Sequence, residues 1–132
     1  MSAVGATVQA LLSDPAVTAI VGQRVFPLVL PQAVEPPALV VEIASQRDMA
    51  THLVGIGDNF AARVNVSSLT TDPASVLSLG EAVRASLHGR TGTYQGFAVR
   101  FELAENDMTD WNDDRTAFRR VVGFSVWWRA LT

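Results

Sequence analysis

The chain has 132 residues, no cysteine and a net charge of −3, with 48% hydrophobic and 17% charged residues. That length supports one domain burying about two thirds of its unfolded surface. The missing cysteine removes disulfides, thiolate metal sites and Cys nucleophiles, and the acidic balance argues against a general nucleic-acid binder. Charged residues fall below the roughly 25% of an average soluble domain, which leaves apolar surface for a partner.

Val4, Val8, Leu11 and Leu12 recur at helical spacing and predict a short amphipathic helix over residues 3–12. Ser13-Asp14-Pro15 supplies a cap and a first-turn proline for a second helix carrying Val17, Ile20 and Val21, which Gly22 ends. Residues 23–27 read as a short extended segment. Prolines 27, 31, 36 and 37 then deny helix and central strand alike, so residues 27–37 form an extended surface loop.

From Ala38 the sequence ALVVEIASQ predicts a strand with Leu39, Val41 and Ile43 on one face. Residues 47–59 show no clean period, and Gly55, Gly57 and Asp58-Asn59 mark a turn, so this segment reads as a hairpin arm between two strands. Phe60, Ala62, Val64 and Val66 alternate with polar neighbours in a half-buried strand over 60–68.

Asp72 and Pro73 open the main helix, whose stripe is Val76, Leu79, Val83 and Leu87 and whose end is Gly89. Phe97, Val99, Phe101 and Leu103 predict a strand through Ala104. The carboxylates Glu102, Glu105, Asp107, Asp110, Asp113 and Asp114 read as an acidic loop, and residues 117–130 as a long last strand pairing back as a hairpin. Alternation puts Phe124, Val126 and Trp128 on one face and Trp127 with Val121, Gly123 and Ser125 on the other. The expected fold is a single α+β domain over residues 1–132. In it a largely antiparallel sheet of about four to five strands has short N-terminal helices and one longer helix packed on one face. No apolar run is long enough to span a bilayer, and the first nine residues lack the parts of a signal peptide.

The search for chemistry returns little. There is no G-x-S-x-G, H-E-x-x-H, P-loop or G-x-G-x-x-G pattern. His88 beside Gly89 fits a helix C-terminus, where a His meets free carbonyls. Asp110, Asn112 and Asp114 match the opening of a calcium loop, but the required Gly is Arg115 and the required Glu is Val121. Paired carboxylates for acid–base work, as in an acidic-site hydrolase, could be drawn from Glu102, Glu105 and Asp107. The expectation is therefore no catalytic, metal or cofactor site. Trp111 in the acidic segment and Trp127 on the less apolar face suit a partner contact, as do Met49, Leu53, Val54 and Ile56 in the arm.

Three pieces carry a resemblance that runs along nearly the whole chain. They are the D-P-A-V-x-A-x-V-G-x-R-V-F-P block at residues 14–27, the helix end A-V-R-A-S-L-H-G at 82–89, and the closing RRVVGFSVWWRAL. With them the chain resembles the tail completion, or tail terminator, proteins of long-tailed bacteriophages and gene transfer agents. The resemblance implies a structural virion protein of the tail or neck, assembled in the bacterial host cytoplasm. It implies a ring, generally a hexamer, on the head-proximal end of the tail tube. That ring stops tube polymerisation and meets the head connector or stopper protein, so the partners are further copies of itself, the tube protein and the connector. DNA passes through the lumen without specific binding, and six copies at −3 would carry about −18. A head-side neck component and a protein-binding module outside any virion are the competing readings.

Overall fold

The computed structural model describes residues 2–48 and 59–131. Among these residues three helices form where the caps direct. Helix α1 (Ala3–Leu12) starts at Ser2, whose hydroxyl accepts the Gly5 N–H at 2.9 Å. Helix α2 (Pro15–Val21) starts at Asp14, whose carboxylate accepts the Ala16 N–H at 2.9 Å, and stops at Gly22 with φ +60°. The chain bends by 87° between the two. In helix α3 (Pro73–Leu87) the Asp72 carboxylate accepts the N–H groups of Ala74 and Ser75 and the Ser75 hydroxyl, satisfying donors that the first turn leaves free.

Among the described residues six strands make one sheet: β1 (Val25–Pro27), β2 (Ala38–Asp48), β3 (Asn59–Thr70), β4 (Thr91–Tyr94), β5 (Phe97–Trp111) and β6 (Phe118–Ala130). Their spatial order is β1-β2-β3-β6-β5-β4, with β1 parallel to β2 and every other pair antiparallel. The α+β class and the antiparallel bias agree with the sequence reading, but the strand count exceeds the expected four to five. The additional strand is β4, whose TGTY has no apolar alternation to announce it.

A second correction concerns the acidic segment. It is not a loop: β5 continues to Trp111, and the turn occupies only 112–117. Cross-strand pairing explains this. Asp110 faces Arg119, and Asp107 bonds to Arg120 diagonally across the ladder, so opposite charges offset the poor strand preference of Asp.

The helices cover one face of the sheet. Leu39 and Val41 of β2, Val64 and Val66 of β3, Phe101 of β5, and Val122, Phe124, Val126 and Trp128 of β6 are buried beneath Leu11, Val17, Leu79, Val83 and Leu87. The face carrying Phe124, Val126 and Trp128 is the core face, as alternation predicts. Ile43 shares the face of Leu39 and Val41 but stays 43% exposed, next to a one-residue bulge between Ile43 and Ser45. Helix α3 lies across β3 and β6. Strand β4 pairs with Phe97–Arg100 alone, so β5 overhangs it by about ten residues.

Candidate assembly surfaces

A buried arginine fixes the far half of the β5–β6 hairpin. Arg120 points toward α3, and its side chain is only 7% exposed. Its Nε and Nη2 donate to the two Asp107 carboxylate oxygens at 2.9 and 2.8 Å. Nη2 also donates to Glu81 Oε1 at 2.8 Å, and Nη1 to the Leu77 carbonyl at 3.0 Å. The stem fits because position 80 is glycine; a Cβ there would lie 2.4 Å from Arg120 Cδ. One side chain thus ties α3 to two strands. The Arg120 hydrogen bonds hold the Asp107 carboxyl below the usual carboxylate range, against partial desolvation and helped by the charges of Arg120 and Arg84.

Beyond this hub the hairpin ends in a rigid turn. Arg119 grips Asp110 through Nε at 3.0 Å and Nη2 at 2.5 Å, and this pairing keeps the Asp110 carboxyl low as well. Asn112 Oδ1 accepts the N–H groups of Thr116 and Ala117 at 2.9 and 3.1 Å, and Arg115 takes a positive φ of 56°. Trp111, the last residue of β5, remains 58% exposed. Beside it runs a mostly apolar groove of about 370 Å³, walled by Leu30, Pro36, Leu69, Trp111 and Phe118 and edged by the Asp110–Arg119 pair. It lies at the end of the sheet where β2 begins and β3 ends.

The sheet face turned away from the helices is mixed in character. Arg100 stands over the Trp127 ring at 5.9 Å and pairs with Glu102 at 3.3 Å. Trp127 is half-buried, and its Nε1–H has no hydrogen-bond partner among the described residues. Asn106, in a bulge of β5 between Leu103 and Asp107, lies across Gly123 and donates to Asn65 Oδ1 at 2.8 Å. Of the carboxylates of an acid–base reading, Asp107 is paired with Arg120 and Arg84, and Glu102 with Arg100. The Asp110 of the calcium-loop pattern is bound to Arg119.

Comparison with known proteins places this geometry. Residues 5–132 match the family model described as Tail completion protein gp17. The chain belongs to the tail completion protein family. The fold of this tail completion protein is similar to a chain of the virion of a native gene transfer agent particle, with a TM-score of 0.75 and 16% identity over 98% of this chain and 100% of that one. At that identity the likeness is one of fold. No curated protein matches the sequence. Family membership makes the protein a structural tail component of a phage-like particle.

The residues singled out from sequence do not form one site. Trp111 pairs in register with Phe118 at one end of the sheet, whereas Trp127 pairs with Ala61 and Arg100 near the other. Met49, Leu53, Val54 and Ile56 lie outside the described residues. Sequence reasoning missed Leu30, Leu69 and Phe118 as neighbours of Trp111. Phe118 lies in the stretch read as the last strand, Leu69 one residue past the strand read over 60–68 and Leu30 in the proline-rich loop, and only the register brings them to one rim. His88 caps α3 as expected, its N–H donating to the Arg84 carbonyl at 3.0 Å.

Proposed function

We propose that this tail completion protein closes the head-proximal end of the tail tube as a ring, hexameric in its simplest form, and presents that ring to the head connector. The family match over residues 5–132 carries the reading. Three features support it. The sheet face away from the helices bears a half-buried tryptophan under an arginine rather than a packed helix. An apolar groove opens at one end of the sheet. A net charge of −3 per copy makes the ring repel DNA, which favours passage over retention. The role is structural: the protein stops growth by occupying the tube end and joins head to tail by fitting both, in the host cytoplasm before the particle is complete.

Deleting the gene in a producing phage or particle and imaging the lysate by electron microscopy tests this. Overlong tails without heads are the expected result. Tails of normal length that fail to join heads would move the protein to the head-side neck, and normal joined particles would overturn the virion role.

A further inference from the structure

The sheet face turned away from the helices is charged unevenly from one end to the other. Near the end where β6 finishes, Arg63 of β3 stands opposite Ser125 and Arg100 of β5 opposite Trp127, while Arg129 follows Trp127 on the same face of β6. All three arginines are exposed. Among the described residues Arg100 is paired with Glu102, whereas Arg63 and Arg129 form no salt bridge. Glu42 of β2 shares the face but stands nearer its middle, opposite Asn65. This end of the face is therefore basic, in a chain whose net charge is −3.

The opposite end of the β5–β6 hairpin is its complement. The turn over 112–117 exposes Asp113 and Asp114, which also form no salt bridge among the described residues. Asn112 holds that turn in one shape, so the two carboxylates are presented on a preformed tip. Elsewhere in the chain arginines take carboxylates side-on: Arg119 holds Asp110 and Arg120 holds Asp107, each through Nε and Nη2. Every basic residue of the chain is arginine, so Arg63 and Arg129 offer the same planar fork. The tip cannot reach them within one molecule, because β6 separates them by its length from Phe118 to Arg129, about 36 Å at the rise of an extended strand. Two unlike surfaces at opposite ends of one subunit are what a ring of more than two identical copies requires, since each of its contacts is head-to-tail.

We propose that the Asp113–Asp114 turn of one copy docks on the Arg63–Arg129 face beside Trp127 of the next, a charge-paired contact that repeats around the ring. This rests on the ring reading, but the two fail differently. The test supplies variants to a producing strain from which the gene is deleted and counts head-joined particles by electron microscopy. The variant Arg63→Glu with Arg129→Glu, and the variant Asp113→Arg with Asp114→Arg, each oppose like charges at every contact. Each alone should lower the joined particles at least tenfold. Expressed together, the two can alternate around a ring with every contact complementary, and joined particles should return to within threefold of the unaltered protein. One chain carrying all four changes should do the same in a ring of any size. Urea unfolding of each purified variant should stay cooperative; if a double reversal does not fold, Arg129→Glu and Asp114→Arg alone serve in its place. Loss in both variants with no rescue by either route would refute the contact and keep the ring. Loss in the arginine variant alone would give that face to DNA or to another acidic partner, and full function of both would leave it no role in assembly; either refutes the contact. Normal joined particles from the deletion itself would overturn the ring reading and the contact with it.

Discussion

Replacing Gly80 by alanine separates two effects that oppose each other at one atom. In an ordinary helix interior the change stabilises by about 1 kcal/mol, because glycine gives up more backbone freedom on folding. Here the new Cβ would stand 2.4 Å from Arg120 Cδ and 2.8 Å from both Nε and Nη1. Relief to ordinary contact requires the arginine to retreat by roughly an ångström, and its guanidinium is held at 2.8–3.0 Å by Asp107, Glu81 and the Leu77 carbonyl. Losing the equivalent of two charge-assisted bonds costs about 3–4 kcal/mol, so the net change is a loss of about 2–3 kcal/mol. In an Arg120→Ala background the obstacle is gone, and the same substitution should stabilise by about 1 kcal/mol. Urea unfolding of all four proteins, at one protein concentration, measures the cycle. Stabilisation by Gly80→Ala in both backgrounds would show that Arg120 is not wedged against α3.

Two further outcomes follow from the same contacts. The folded-state values of Asp107 and Asp110 are depressed, so their stabilisation is complete above the unfolded carboxyl value of about 3.9 and is lost as pH falls through the folded values; urea midpoints should drop below about pH 4, and Asp107→Asn should flatten that drop while lowering stability at pH 7. Gly123→Ala would place a Cβ 1.8 Å from Asn106 Oδ1 and expel that side chain from its bond to Asn65, a loss of about 1 kcal/mol that disappears when Asn106 is already alanine.

Much of the fold is legible in the sequence because its signals are local. Asp14-Pro15 and Asp72-Pro73 start two helices within one turn of their caps, and the alternation from Phe60 to Val66 and along β6 needs only the pleat. What escapes local reading depends on the partner strand. Asp107, Asn106 and Asp110 have the composition of a turn, yet they are strand because Arg119, Arg120 and Gly123 stand opposite and accept them. A trace does exist: the carboxylates of 102–114 and the arginines of 115–120 are mirrored about Asn112–Thr116, as a hairpin of complementary charge demands. Gly80 inside an otherwise regular helix marks the buried arginine in the same way. Trp111 was legible as an unusual exposed aromatic, but its groove was not, since Leu30 and Phe118 come from segments 88 residues apart in sequence.

The overhang of β5 past β4 has a consequence for how the chain behaves before it finds its place. A long strand with one free side offers unsatisfied amides and carbonyls to any passing extended peptide. Beyond Phe101, whose backbone is met by Gly89 and Arg90, no described strand borders β5 on that side. On the strand's other side the β5–β6 ladder is broken between Leu103 and Asp107, which bends β5, while Glu102 and Asp110 are paired with Arg100 and Arg119. An extended strand laid along this edge would have to follow the bend that the bulge puts into β5. The free flank of β5 is thereby a less regular template for edge-to-edge pairing than an unbroken strand of the same length.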